Sequence, residues 1–261
     1  MQVLKTKQNK PPRIILFGGG GTGKSSLAAS FPNNIFINIE DGLDEIDATA
    51  LPKPETYNDV VEQLTWLYTS DKQYDTVTID SLDHLEILVN RAVCVENNVA
   101  SISDLGYGEG FQKAFEKFQK IMLALNALKE KHNMAIVILC HGHVKTFNNV
   151  SGADYDIWKL KLREKNAELF FEFCTLVGFI HMNIAIKSEK SGFKDKTKAV
   201  GGTQRVLSCQ PAAGHESKNR YGITSDIMLP SPEQGYKNLV EAIAKGQENV
   251  KALSAKENQN V

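Results

Sequence analysis

The chain has 261 residues, a formal net charge of −1 at pH 7, 42% hydrophobic residues and 23% charged residues. These values are typical of a folded globular protein and argue against disorder. A nearly neutral chain is not a general coat for duplex nucleic acid, so any nucleic-acid binding must come from local basic segments.

The segments that would indicate secretion or a membrane span are not found. The first twelve residues are polar and basic and lack the apolar core of a signal peptide. The longest apolar stretch, residues 169–180, is too short to cross a bilayer. The four cysteines are far apart and form no C-x-x-C pair, so neither a zinc site nor a disulfide framework is indicated. We therefore expect a soluble cytoplasmic protein with no membrane partner.

Apolar runs and amphipathic stretches alternate along the chain. Runs without polar alternation predict strands that are buried on both faces of a parallel sheet. They cover residues 14–17, 35–39, 76–79 and 135–140. Periodic apolar residues predict helices over residues 24–31, 58–68 and 111–128. Two long strands, over residues 176–187 and 203–209, are predicted around a lysine-containing loop.

This alternation predicts an α/β fold with a mostly parallel sheet flanked by helices and an antiparallel extension toward the C-terminus. No repeat or linker divides the chain, which predicts one domain over residues 13–246. Residues 1–12 and 247–261 are polar and are predicted to be an N-terminal and a C-terminal tail.

The first apolar run is followed by the sequence GGGGTGKSS. Its spacing, G-x-x-x-x-G-K-[ST], predicts a phosphate-binding loop between a strand and a helix. We expect Lys24 to reach the β- and γ-phosphates and the Ser25 hydroxyl to bind Mg²⁺. The candidate residues of this phosphate loop are Gly18, Gly19, Gly20, Gly21, Thr22, Gly23, Lys24, Ser25 and Ser26.

Two of the next predicted strands lead into acidic residues. IFINI is followed by Glu40, which can orient or deprotonate a water that attacks the γ-phosphate. The alternative is that Glu40 and Asp41 only mark a turn before Gly42. TVTI is followed by Asp80, which is placed to hold Mg²⁺ at the carboxyl edge of the sheet.

The order GGGGTGKSS, IFINIEDGL, VTIDSL, AIVILCHGH resembles the core of the RecA-like ATPases, over about residues 13–145. The resemblance implies a RecA-like P-loop NTPase fold that uses ATP and Mg²⁺, with Glu40 as the catalytic glutamate and Asp80 as the Walker B acid. The whole chain is similar to phage-encoded RecA-like ATP-binding proteins, some of which are single-strand annealing recombinases. This similarity implies a phage protein that acts in the cytoplasm of a bacterial host.

His141 ends the fourth apolar run, where RecA-like proteins carry a polar γ-phosphate sensor, usually glutamine. An imidazole there can donate a hydrogen bond to the phosphate or to the water and relay the nucleotide state to the next loop. His141 therefore joins Lys24 and Glu40 among the catalytic candidates. The alternative interpretation is that His141 and His143 form a metal-binding pair.

The resemblance also implies that single-stranded DNA binds to loops at residues 97–110 and 144–160. Aromatic side chains there can stack on bases, and lysines nearby can neutralise phosphates. The candidates are Tyr107, Phe147, Lys159 and Lys161. The alternative is that the basic clusters are solvated surface. In RecA-like proteins a basic residue of the adjacent subunit completes the ATP site, and the candidates here are Lys218 and Arg220.

Together these features predict a Mg²⁺-dependent ATPase, stimulated by single-stranded DNA, that assembles into a ring or filament in phage recombination or replication. A single-strand binding protein or other replication proteins are candidate partners. Two alternatives remain open. One is an ATP-dependent scaffold or loader with little DNA contact, and the other is a nucleotide or small-molecule kinase, although the few scattered arginines do not suggest a kinase lid.

Overall fold

The computed structural model describes residues 10–71, 73–150, 152–191 and 194–257, with side chains described in those ranges except at residues 184–201 and 251–257. Residues 1–9 of the predicted N-terminal tail and residues 258–261 of the predicted C-terminal tail lie outside the described residues. The lysine side chains of the loop predicted between residues 187 and 203 lie outside them as well.

The described chain alternates strands and helices and then becomes rich in strands. The first half contains β1 (Arg13–Gly18), α1 (Lys24–Ala29), β2 (Asn34–Asn38), β3 (Thr49–Ala50), α2 (Tyr57–Thr69), β4 (Thr76–Asp80), α3 (Leu82–Asn97) and α4 (Glu109–His132). The second half contains β5 (Ala135–Phe147), β6 (Tyr155–Leu160), α5 (Glu164–Phe173), β7 (Leu176–Ser191), β8 (Lys194–Ser208), β9 (Lys218–Asn219), β10 (Ile227–Met228) and α6 (Pro232–Glu257).

These strands form a sheet in the order β10-β8-β7-β1-β5-β4-β2-β3. The six strands from β7 to β3 in this order are parallel, and β8 and β10 extend the sheet in antiparallel pairing. The predicted α/β class, the mostly parallel sheet and the antiparallel extension are therefore confirmed, and the arrangement is that of a P-loop NTPase fold. Because β5 lies between β1 and β4, the loops after β1, β2, β4 and the core of β5 meet at one edge of the sheet.

The central strands β1 and β5 contain unbroken apolar runs because both faces of the sheet are covered there. Ile15 and Phe17 of β1 point into a cluster with residues of α2, α3, α4 and α5. Ile14 and Leu16 point to the opposite face and join residues of α1 and α6. Successive side chains of a strand alternate between faces, so two buried faces require an unbroken apolar run.

Two leucines of α4 provide a matched test of this core. Leu125 is fully buried in the cluster under the sheet, whereas Leu123 is 61% exposed. We expect Leu125→Ala to lower the free energy of unfolding by about 2–5 kcal/mol, because it removes buried methyl groups and leaves a cavity. Leu123→Ala is expected to change it by less than about 0.5 kcal/mol. Denaturant unfolding of both variants measures the difference, and equal losses would contradict this account of the core.

Several boundaries differ from the sequence-based expectations. The strands predicted over residues 176–187 and 203–209 are the longer elements β7 (Leu176–Ser191) and β8 (Lys194–Ser208). The segment predicted as a loop over residues 144–160 is a hairpin instead, since β5 continues to Phe147 and pairs with β6. That expectation was wrong because the exposed half of β5 carries polar residues that interrupt the apolar run.

The C-terminal helix α6 continues to Glu257 and so crosses the tail boundary predicted at residue 246. Gly246 is buried, and a Cβ there would meet the backbone of Tyr221 and Gly222. This close approach explains a glycine inside the helix, which sequence analysis took as the start of a tail. No helix among the described residues is both long enough and apolar enough to span a membrane.

Candidate active site

The phosphate loop joins the end of β1 to the start of α1. Gly23 has φ 85° and Gly21 has φ 69°, both in the left-handed region that favours glycine. A Cβ on Gly18 would collide with the carbonyl oxygen of Ile180 in the adjacent β7. The Thr22 hydroxyl donates a hydrogen bond to the Gly19 carbonyl at 2.9 Å, which holds the loop in a tight turn.

Lys24 is the first residue of α1 and is only 6% exposed. Its Nζ donates to the carbonyl oxygens of Gly19 at 2.9 Å and Gly18 at 3.4 Å. Burial lowers the pKa of this ammonium, and the nearby carboxylates of Glu40 and Asp80 act in the opposite direction. The ammonium is thus held inside the loop, where phosphate oxygens can replace the carbonyl oxygens as acceptors.

Asp80 ends β4 and is 2% exposed. Burial raises the pKa of its carboxyl group, while the hydrogen-bonding side chain of Ser25 lowers it. A carboxylate next to a serine hydroxyl is a hard oxygen donor set, which suits Mg²⁺. The residues present therefore fit the ion that the loop sequence predicts, with Ser25 and Asp80 as the residues that would hold it.

Glu40 follows β2 and is fixed beside β4 by the backbone. The N–H groups of Ile39 and Glu40 donate to the Asp80 carbonyl oxygen at 2.6 Å and 3.0 Å. Oε1 of Glu40 lies 3.5 Å from Nε2 of His141, and Oε2 lies 3.7 Å from Nδ1 of His84. The Glu40 carboxylate therefore lies between the two imidazoles, on the side of the phosphate loop cavity.

His141 is oriented by Asp83, the second residue of α3. Asp83 accepts from the backbone N–H of His141 at 3.1 Å and lies 3.0 Å from its Nδ1. Burial alone would raise the pKa of the Asp83 carboxyl group, but the hydrogen bonds and charge of His141 outweigh it and the pKa lies below its usual value. A carboxylate only accepts hydrogen bonds, so Nδ1 carries the proton and Nε2 faces Glu40.

These side chains surround one cavity of about 290 Å³. It is lined by Gly21, Gly23, Lys24, Ser25, Ser26, Glu40, Gly42, Ile46, Asp80, His141 and Arg205. The structure thus brings together residues that lie far apart in the sequence. Their chemistry, a buried cation, a Mg²⁺ donor set and a carboxylate paired with an imidazole, is suited to binding and hydrolysing a nucleoside triphosphate.

Sequence analysis missed three residues of this region, Asp83, His84 and Arg205. The two residues of α3 follow the Asp80 strand and carry no motif. Arg205 comes from β8, and its Cζ lies 3.4 Å from the place that a Cβ on Gly23 would occupy. Its Nε is buried and has no hydrogen-bond partner among the described residues. Only the pairing of β8 with β7 brings this arginine to the loop.

Lys218 and Arg220 do not line this cavity. β9 pairs with Leu176 and Val177 at the start of β7, whereas the phosphate loop lies at the other edge of the sheet. Nζ of Lys218 donates to the carbonyl oxygens of Phe171 at 2.7 Å and Glu172 at 2.9 Å, at the end of α5. Their action on a neighbouring subunit stays a prediction.

The predicted DNA-binding residues have different surroundings. The Tyr107 side chain is fully exposed, and Lys161 is 62% exposed with Nζ 3.9 Å from Asp83. Lys159 forms an ion pair with Glu216 at 2.5 Å. The ring of Phe147 lies 5.2 Å from that of Tyr155 across the β5–β6 hairpin.

The metal pair of His141 and His143 is not supported. His141 lines the cavity at the phosphate loop, whereas His143 lines a different cavity of about 430 Å³ between the hairpin, α5 and residues 211–217. The two rings therefore do not face a common site.

Comparison with known proteins agrees with this geometry. The sequence profile of an AAA domain family matches residues 10–221, well over half of the chain. No curated protein matches the chain. The matched region includes the phosphate loop, Glu40, Asp80 and His141, and the family implies nucleotide binding and ATPase activity. The chain therefore belongs to the AAA domain family of P-loop ATPases.

Proposed function

We propose that this ATPase is a RecA-like, Mg²⁺-dependent enzyme that acts on single-stranded DNA in phage recombination or replication. Lys24 would bind the phosphates, Ser25 and Asp80 would hold Mg²⁺, and Glu40 would activate the water. With Mg²⁺ held by Ser25 and Asp80, the site would gain the positive charge that offsets the charge developing on the phosphate oxygens. The resemblance in motif order and the shared cavity support this assignment of roles.

The observation that carries the DNA proposal is a cavity of about 510 Å³ at the start of α4. Tyr107 lies over it, and the exposed cations Arg163 and Lys165 line it. The Arg163 guanidinium lies 3.9 Å from the Phe111 ring centre. An exposed aromatic ring beside exposed cations is what a sequence-tolerant single-strand site needs.

This surface connects directly to the ATPase site. Lys161 and Arg163 are two residues apart, and the Lys161 N–H donates to the His141 carbonyl oxygen at 2.8 Å. A movement of His141 when ATP binds or is hydrolysed would therefore shift Lys161, and with it the segment that carries Arg163 and Lys165. In this proposal His141 couples the nucleotide state to DNA binding.

The DNA proposal is tested by fluorescence anisotropy with labelled single-stranded DNA at low salt, with ATP and Mg²⁺. Tyr107→Ala is expected to weaken binding about tenfold, because stacking contributes ~1–3 kcal/mol per base. Tyr68→Ala, which removes a 40% exposed tyrosine from α2, serves as the control and should bind like wild type. Binding that survives Tyr107→Ala unchanged rules out this surface.

A second candidate function is a scaffold or loader that touches little DNA. The cavity between the hairpin and α5 favours it, because its apolar lining also carries Glu168 and Glu172, whereas Glu164 and Glu216 pair with Lys145 and Lys159. These acids would repel phosphates and suit a basic protein segment. No DNA binding at low salt with ATP would favour this candidate, since electrostatic contacts are strongest there.

Asp83 is expected to act as a positioning residue in hydrolysis. Asp83→Asn should lower kcat by at least about tenfold, because an amide cannot hold the Nδ1–H tautomer of His141 as a carboxylate does. KM for ATP should change by less than about twofold, since Asp83 does not line the cavity. Steady-state kinetics separates the two parameters. Asp75→Asn, at the exposed residue that precedes β4, is the control; an equal fall in kcat there would contradict the assignment.

We also propose that the active form is a homo-oligomeric ring or filament in which Arg220 reaches the ATP site of the adjacent subunit. Arg220 is exposed, whereas Lys218 is already engaged by α5 carbonyl oxygens. Mixing Arg220→Ala with Lys24→Ala subunits should restore part of the ATPase activity at shared interfaces. If no mixture is active, Arg220 has no such role.

A further inference from the structure

Glu40, His84 and His141 form a cluster of metal-ligand type beside the Mg²⁺ donor set. Each offers a ligand atom, and these atoms all lie within 4.8 Å of one another. All three side chains are half-buried. The group differs from the pair of His141 and His143 considered from the sequence, because His84 comes from α3.

We propose that these three side chains bind a transition-metal ion of the Zn²⁺ class, at a site separate from that of Mg²⁺. Imidazole nitrogens and a carboxylate are ligands that Zn²⁺ prefers, whereas Mg²⁺ prefers oxygen ligands alone. Three protein ligands leave a fourth position for water.

The distances suit such an ion. Two ligand atoms at 2.0–2.1 Å from a tetrahedral Zn²⁺ lie about 3.3 Å apart. Oε1 of Glu40 lies 3.5 Å from Nε2 of His141, and Oε2 lies 3.7 Å from Nδ1 of His84. These two separations exceed ligand spacing by a few tenths of an ångström, and the two imidazole ligand atoms lie within 4.8 Å of each other.

Asp83 orients one of the three ligands as carboxylates do in zinc sites. It lies 3.0 Å from Nδ1 of His141, so Nε2, which lies 3.5 Å from Oε1 of Glu40, is the nitrogen available to a metal. A carboxylate behind a ligand imidazole fixes its tautomer and increases its basicity. The Ser81 hydroxyl lies 2.8 Å from Nδ1 of His84, so an ion that binds at this nitrogen replaces that hydrogen bond.

Binding of this ion would inhibit the enzyme, and this consequence rests on the proposed function. Glu40 cannot serve as a base for water while it ligates a metal, and His141 cannot donate to phosphate through a metallated Nε2. The cluster would therefore make hydrolysis sensitive to transition-metal ions, independently of the supply of Mg²⁺.

Co²⁺, a spectroscopic substitute for Zn²⁺, tests the site in the full chain without nucleotide or Mg²⁺. We expect saturable visible absorption of a low-coordinate Co²⁺ at one equivalent, which added Zn²⁺ abolishes. His84→Ala should weaken Co²⁺ binding by more than about tenfold, since even indirect partners of metal ligands contribute that much. His132→Ala, at the end of α4, is the matched control and should bind as wild type does.

Glu40→Gln provides a second variant and should weaken Co²⁺ binding as well. Absence of saturable absorption in wild type overturns the proposal, and so does equal affinity in wild type and His84→Ala. A thiolate charge-transfer band would place the ion at a cysteine and also overturn it. Since the assay contains no nucleotide, it is independent of ATPase activity: a chain that binds Co²⁺ but hydrolyses no ATP keeps the metal site and loses the proposed function.

Discussion

Replacing Lys24 by alanine is expected to abolish ATP binding at working concentrations. The buried ammonium is the only cation of the phosphate loop itself, and a charge-assisted contact in a desolvated site contributes about 2–5 kcal/mol, equivalent to at least about 30-fold in Kd. Titration with a fluorescent ATP analogue in the presence of Mg²⁺ measures the loss.

The folded state should tolerate this change. Burial lowers the pKa of Lys24, so the charged form is disfavoured in the folded chain and its removal relieves a desolvation cost. Lys53→Ala is the control, because Lys53 is exposed and pairs with Asp41 at 3.0 Å close to the site. Unchanged ATP affinity in a folded Lys24→Ala variant would show that the loop is not the nucleotide site.

Glu40→Gln is expected to bind ATP with nearly unchanged affinity and to lose turnover by about 10²–10⁴-fold. The amide keeps the size of the side chain but cannot accept a proton from water. Asp41→Asn is the control, since this neighbouring carboxylate is exposed and does not line the cavity. Binding titrations and phosphate release on the same samples separate affinity from chemistry. Equal turnover in Glu40→Gln and wild type removes Glu40 from the mechanism.

The residues predicted from sequence alone are those whose role is set locally. The phosphate loop has the spacing of a known phosphate-binding turn. Asp80 ends β4 and Glu40 follows β2, and apolar runs predicted both strands. Parallel strands bring their carboxyl ends to one edge, so the predicted cavity follows once the strand order is known. Their catalytic roles stay predictions until the variants are measured.

The missed residues depend on contacts between distant segments. Asp83 and His84 belong to the site only because the start of α3 lies beside the end of the buried part of β5, where His141 is located. Arg205 reaches the phosphate loop through the pairing of β8 with β7. Neither contact leaves a periodic or spacing signal in the chain.

The apolar pattern also predicted too short a strand for β5, in which solvent exposure changes along the strand. β5 is buried from Ala135 to Cys140 and exposed from Lys145 to Phe147, so the apolar run marked only its first half. The second half forms the hairpin and has the polar composition of a loop. An apolar run therefore predicts the buried part of a strand, and it does not predict the part of the same strand that is exposed to solvent.

The central claim, that the cavity at the phosphate loop hydrolyses ATP, is tested most directly by phosphate release from the wild-type chain with ATP, in the presence and absence of Mg²⁺ and of single-stranded DNA. Lys24→Ala provides the blank. We predict Mg²⁺-dependent release above the blank, which rises as single-stranded DNA is added. Release that equals the blank under every condition would contradict the account.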